Sequence, residues 1–271
     1  MKIAFSTLGC PDWSWDEILA TAKDMGYDAV EIRGISKEIY APAIPVFAPD
    51  RINDVRQKLS RMDLKLSCLT SACYLFDKVN SEKTAAEGKA YIELADSLGI
   101  PYVRVLGDRN PEPGEGIDDQ FVADSLKRFC EFARGTGVTV LIETNGVYAD
   151  SERLLRLVKA VNDPKLGVLW DVHHPYRYFN ETPEKTYENL KEYIRYLHVK
   201  DSVVTEDGKL KYRMMGYGDL PVAEALKILK AGGFDGYVTL EWVKRWYSEL
   251  EEPGVVFMQY ISYMRRLLRR L

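Results

Sequence analysis

Cysteine is scarce in this chain: four thiols in 271 residues, at positions 10, 68, 73 and 130, with neither a CxxC pair nor a zinc-knuckle spacing. Thiols so scattered argue against a disulfide scaffold and a cysteine-built zinc site, and point to a reducing compartment. Histidine is scarcer still, with three residues. No window approaches the run of about 18 uncharged residues that a spanning helix needs. The N-terminal MKIAFSTLGCPDW reaches Pro11 and Asp12 without an apolar core of signal-peptide length, so a cytoplasmic protein is expected. Neither sign of charge dominates: 37 Lys and Arg stand against 41 Asp and Glu, a net charge of -4. That gives no reason to expect nucleic acid or an anionic membrane as a partner. The one basic concentration is the last seven residues, with four arginines. It reads as the exposed stripe of a terminal helix whose Tyr260, Met264, Leu267 and Leu268 face the core.

What the chain does have is a regular alternation. Short apolar, β-branched runs at 3–6, 29–32, 65–69, 102–106, 139–143, 167–171, 196–200 and 237–241 read as strands. Helical patterns lie near 15–25, 50–62, 81–98, 118–135, 150–162, 183–193, 221–232 and 253–271. Asp150-Ser151 can cap the fifth helix, and Pro221 suits a first helical turn. Gly26, Gly99, Gly137 and Gly232-Gly233 end helices just ahead of strands. Strands joined by helical crossovers are parallel, and their continuous apolar runs imply burial on both faces. Eight such units predict one α/β domain over residues 1–271, a single (β/α)8 TIM barrel. An open doubly wound sheet is the runner-up, but Ser6-Thr7-Leu8-Gly9 offers no GxGxxG after the first strand.

In a barrel the chemistry is built at the C-terminal ends of the strands. The fifth strand ends at Glu143, the sixth at Asp171, the seventh carries His198, Lys200 and Asp201, and the eighth ends at Glu241. Carboxylates left unpaired at the mouth of a low-dielectric barrel are costly. One divalent cation neutralises them, and an oxygen-rich set with one imidazole suits Mn²⁺, Mg²⁺, Co²⁺ or Zn²⁺. His174, three residues past Asp171, is placed to orient a substrate oxygen, while His173 points elsewhere. Lys200 shares a face with His198, where an ammonium either pairs with one of these carboxylates or stabilises a developing enolate. Glu31, ending the second strand, either lines the pocket or forms a structural ion pair. Trp13, Trp242 and Trp246 lie just past strand ends, as sugar-stacking walls or as ordinary packing. Two loops, 34–50 and 107–119, read as substrate-shaping lids carrying Tyr40, Phe47, Arg109 and Glu112.

The segments GYDAVEIRG, VLIETN, LGVLWDVHH, YLHVKD, MGYGD and GGFDGYVTLEW, in order along the whole chain, resemble the sugar isomerase/epimerase superfamily of xylose isomerase-like barrels. The resemblance implies one divalent metal, manganese by preference, on Glu143, Asp171, His198 and Glu241. It also implies an acid/base pair in Glu143 and Glu241, and His174 on a substrate oxygen. Arg213, ahead of Gly216-Tyr217-Gly218, is the nearest match to a substrate-binding arginine. The activity expected is isomerisation or epimerisation of a small keto-sugar through a metal-stabilised cis-enediolate, one glutamate removing the α-proton and the other returning it. The partner expected is a small-molecule carbohydrate, and a homo-oligomer is what the resemblance implies. Loss of a β-hydroxyl from the same enolate, as in the family's inosose dehydratases, is the alternative. The Gly216-x-Gly218 pair is too little to read as a phosphate cradle. A related trinuclear-zinc endonuclease would need histidines on the third and fourth strands, which here run into Thr70-Ser71-Ala72 and Gly107-Asp108. A ligand-binding barrel without activity would have no need of two opposed bases.

Overall fold

In the computed structural model, which describes residues 1–271, the alternation closes on itself. Strands β1 (Lys2–Ser6), β2 (Ala29–Ile32), β3 (Lys65–Tyr74), β4 (Tyr102–Leu106), β5 (Thr139–Glu143), β6 (Leu166–Asp171) and β7 (Ile194–Val199) lie side by side in chain order. Two short strands, β8 (Asp201–Val204) and β9 (Leu210–Arg213), pair antiparallel with each other outside the barrel. Strand β10 (Tyr237–Leu240) then enters between β7 and β1 and closes the ring. Every barrel pairing is parallel, so the open doubly wound sheet is excluded. The helices are α1 (Trp15–Met25), α2 (Ile52–Met62), α3 (Ser81–Leu98), α4 (Asp119–Ala133), α5 (Ser151–Val161), α6 (His173–Phe179), α7 (Pro183–Leu190), α8 (Val222–Ala231) and α9 (Pro253–Arg270).

Local sequence explains where these helices start and stop. Ser14 and Glu17 form a reciprocal capping box at α1, which ends at Gly26 in the left-handed region with φ of 75°. The Arg265 guanidinium, from the basic stripe of α9, donates to the Gly26 carbonyl at 2.7 Å. Asp150 accepts from the N–H groups of Glu152 and Arg153 and starts α5. That helix buries Leu154, Leu157, Val158 and Val161, an i, i+3, i+4, i+7 stripe. Each such side chain contributes about 1.5–3 kcal/mol by leaving water. Tyr260 and Met264 of α9 are buried, with Leu267 and Leu268 packed against the same core.

Several details differ from the sequence reading. Strand β3 runs on to Tyr74, with an irregular register against β4 between Thr70 and Tyr74. Helix α4 stops at Ala133 rather than near Gly137, and it is Gly135 that takes the left-handed conformation, with φ of 77°. Pro221 stands just outside α8. The 34–50 segment is wound into tight 3₁₀ turns with Ala41, Ile44 and Phe47 buried in the core, so it is fixed packing rather than a lid. All four cysteines are buried and free. No helix is long and apolar enough to cross a membrane.

Side chains two apart on a strand share a face, so the barrel interior is layered. Cys68, Leu141, Leu169 and Tyr196 form a small apolar cluster of their own. The Tyr196 hydroxyl shares hydrogen bonds with Ser67 and Thr239, each at 2.7 Å. Two residues further along their strands come Glu143, Asp171, His198 and Glu241.

Candidate active site

The parallel register sets Asp171 of β6 opposite His198 of β7, with Glu143 at the end of β5 and Glu241 just past β10. One potential ligand atom from each of these four residues lies within 4.8 Å of the others, and all four are buried. The His198 imidazole decides how the cluster is read. Its Nε2 hydrogen-bonds Glu31 at 2.7 Å, and both side chains are fully buried. Its Nδ1 is buried without a hydrogen-bond partner. That nitrogen faces Glu241 at 3.4 Å, Glu143 at 3.7 Å and Asp171 at 4.0 Å. A carboxylate holding the far nitrogen of an imidazole, with the near one aimed into an oxygen-rich nest, is how proteins orient a metal-ligating histidine. The four residues therefore fit a divalent ion. Asp171 also lies in a second group of three with His173 and His174.

Cations of the chain itself also hold these carboxylates. The Arg104 Nε, from the interior of β4, pairs with Glu143 at 3.1 Å. The Lys200 ammonium pairs with Asp171 and, at 2.5 Å, with Glu241. Burial alone would raise the Glu143 carboxyl, but Arg104 and His198 outweigh it and hold it below the usual range. Burial is likewise overcome at Glu241, which Lys200 and His198 push well down. Burial would lower Lys200 and His198; Asp171 and Glu241 hold Lys200 well above its ordinary value, and Glu31 and Glu241 do the same for His198. Both glutamates thus stay ionised, as bases must.

The sequence-predicted residues separate cleanly in space. Glu143, Glu241, His174 and Lys200 line one cavity of about 370 Å³ at the barrel mouth, within the range of small-molecule sites. Asp171 and His198 lie at its base in the four-residue cluster. His174 stands in the first turn of α6, and its Nδ1 is 2.9 Å from the Thr144 carbonyl. A carbonyl only accepts, so Nδ1 carries the proton and Nε2, 3.7 Å from Asp171, is left as an acceptor. His173 is a packing residue, bonded to Ser202 at 3.0 Å and stacked on Tyr212. Glu31 is the ion-pair partner of His198 rather than a pocket wall.

Arg213 does not line the cavity. Its backbone stands opposite Asp201 in the β8–β9 register, while its neighbour Tyr212 faces the cavity. Strand alternation sends the two side chains opposite ways, and the hairpin itself is what the sequence reading lacked. Asp201 accepts from the N–H groups of Gly216 and Gly218 at 2.9 and 3.0 Å. Those donors are committed to a side chain of the protein and form no phosphate cradle. A Cβ at Gly218 would meet the Asp201 carboxylate at 2.0 Å, which explains the glycine. Of the tryptophans, only Trp246 lines the cavity; Trp13 packs edge-on against Phe257, and Trp242 is fully buried with its N–H on the Glu251 carbonyl. Tyr40 packs on Tyr91, Glu112 accepts from Tyr178, and Arg109 reaches the cavity. Sequence reasoning missed Arg33 and Arg104, both buried and both lining the cavity.

Three carboxylates and an imidazole converging from four successive strands define a (β/α)8 barrel with a candidate metal site at its mouth. The chain belongs to the xylose isomerase-like TIM barrel family, whose model matches residues 19–267. Fructoselysine 3-epimerase of Escherichia coli O157:H7 is 23% identical over 280 residues, covering 99% of this chain and 98% of that protein. Among solved structures, the D-psicose 3-epimerase of Clostridium cellulolyticum H10, crystallised with D-tagatose, aligns with a TM-score of 0.76 at 16% identity over 98% of both chains. The IolI protein, crystallised with a zinc atom, aligns with a TM-score of 0.77 at 19% identity over 97% of this chain and 96% of that one. At such identities the structural likenesses establish the fold.

Proposed function

We propose that this protein is a divalent-metal-dependent isomerase or epimerase of a small keto-sugar or related hydroxy-carbonyl compound. The observation that carries the reading is the orphaned His198 Nδ1 aimed at three buried carboxylates. The epimerase activity of the relative from Escherichia coli supports it. Glu143, Asp171, His198 and Glu241 hold the ion, manganese being the one expected. When bound, the ion supplies Lewis-acid polarisation of the substrate carbonyl.

The remaining work falls to the chain. One of the two ionised glutamates removes the proton α to the carbonyl, and the other delivers a proton to the opposite face, giving epimerisation. If the first glutamate instead returns it to the neighbouring carbon, the product is the isomer. His174, whose Nδ1–H donates to the Thr144 carbonyl, accepts a hydrogen bond from a substrate hydroxyl at Nε2 and fixes its orientation. Lys200 places positive charge beside Asp171 and Glu241, where an enediolate oxygen gains negative charge. Leu8, Leu106 and Val243 give the same cavity apolar walls.

The test is deuterium wash-in on the manganese-loaded protein, with a panel of ketoses, inososes and their acidic derivatives in D₂O read by NMR. Exchange with a rearranged sugar is the expected result. Loss of water from the substrate would assign a dehydratase instead, and no exchange across the panel would overturn the proposal.

A further inference from the structure

Arg33 lies two residues beyond Glu31, on the same inward face, and lines the cavity. It is 7% exposed. Its Nη1 is buried without a hydrogen-bond partner, and no carboxylate is within ion-pair distance. Its one close support is the face of Trp246, 5.8 Å from the guanidinium. Nor can it borrow a neighbour's counter-ion. Glu143 is held by Arg104, Asp171 and Glu241 by Lys200, and Glu31 by His198. The buried Asp108 does not line the cavity and accepts from the backbone N–H groups of Arg109, Gly114 and Val147. Burial lowers the Arg33 pKa, and the like charge of Arg104 lowers it further, so the surroundings oppose this charge.

Desolvating a guanidinium with no partner is strongly unfavourable, and folded proteins retain such a group where a ligand completes it. The placement says which part of a ligand that is. Strand order sets β2 and β4 on one side of the ring and β6, β7 and β10 on the other. Arg33 and, at the rim, the exposed Arg109 therefore face the carboxylate–imidazole cluster across the mouth. Arg109 also lacks an ion pair and rests over Phe76 at 5.7 Å. Arg104, on β4 of the same side, is already engaged with Glu143 and with the Ser71 carbonyl at 2.9 Å.

We propose that the substrate is anionic, carrying a carboxylate or phosphate at the end remote from its reacting carbonyl, and that Arg33 docks this group with Arg109 closing over it. The inference rests on the isomerase reading for which end of the ligand reacts. The docking site itself is tested without turnover.

The experiment is calorimetric titration of the chelator-treated protein, at constant ionic strength, with D-fructuronate, D-fructose 6-phosphate, inorganic phosphate and acetate, and with neutral D-fructose as the control. Wild-type protein is expected to bind at least one of the anions. The Arg33→Met variant should bind it at least about tenfold more weakly, the lower end of what charge-assisted hydrogen bonds contribute. Arg33→Lys should recover part of the loss, and D-fructose should be unaffected throughout. Preference for the carboxylates makes the substrate a sugar acid, and preference for the phosphates makes it a sugar phosphate. Relieved of an unpaired buried charge, Arg33→Met should melt no lower than the wild type. The proposal is overturned if no anion binds, if binding survives Arg33→Met, or if that variant melts lower and loses the neutral ketose equally. Failure of the deuterium assay with anion binding intact would instead reject only the isomerase reading.

Discussion

Replacing Lys200 by methionine removes the ammonium that donates to both Asp171 and Glu241 while keeping most of the side-chain volume. Asp171 and Lys200 are almost completely buried, and Glu241 is 11% exposed at its side chain. Deleting one member of a buried ion pair costs about 3–5 kcal/mol, because the other charge stays behind without compensation. At about 2–4 °C per kcal/mol for chains approaching this size, metal-free Lys200→Met should melt roughly 6–20 °C below the wild type. A divalent ion held by the same two carboxylates restores the missing positive charge. It also stabilises by mass action, about 2.7 kcal/mol at a hundredfold excess over Kd. The assay is thermal unfolding of both proteins in chelator and in excess Mn²⁺. The gap between them should be large in chelator and shrink to less than half with metal. An unchanged gap would mean that the ion does not bind between Asp171 and Glu241, and would refute the assignment of these residues as ligands.

Glu143→Gln and Glu241→Gln should each lower turnover by about 10²–10⁴-fold with a smaller loss of substrate binding; near-wild-type turnover in either would remove it from the acid/base pair. Glu31→Gln, which takes the charge from behind His198, should weaken metal affinity by about 10–100-fold in a competition titration. A Kd within twofold of wild type would make the Glu31–His198 contact purely structural. His174→Ala should raise KM with metal content unchanged, and elemental analysis showing an emptied site would place His174 among the ligands. Asp201→Ala should release the Gly216 and Gly218 N–H groups and speed their amide exchange, leaving barrel-strand amides protected.

The eight strand positions and the four strand-end ligand candidates were legible because both follow from simple periodicities. Buried parallel strands are continuous apolar runs, and a barrel gathers their ends at one rim. What stayed hidden depends on contacts distant in sequence. Nothing local says that Asp201 will pin a hairpin by accepting from glycines 15 and 17 residues away. With that hairpin unseen, Arg213 was assigned to the pocket that its neighbour Tyr212 lines. Helix α6 was missed because WDVHHP reads as a loop, although Pro175 is tolerated in a first helical turn. The pairing of Glu31 with His198 spans 167 positions, and only the closed ring brings it about.

Arg33 and Arg104 were missed for a different reason, and their signal was present. A search for carboxylates at strand ends finds metal ligands, but what makes those positions informative is more general. Any charged side chain on the inward face of a barrel strand must be compensated, whatever its sign. Arg104 interrupts an otherwise apolar YVRVL, and Arg33 follows Glu31 by the period of two. Asking of both signs equally which inward charges lack a partner separates the cations into two groups. Arg104, Lys200 and His198 each answer a carboxylate and set the chemistry. Arg33 answers none, so a barrel selected for stability alone would carry an apolar residue there. The ligand that accounts for its retention has to bring the negative charge with it.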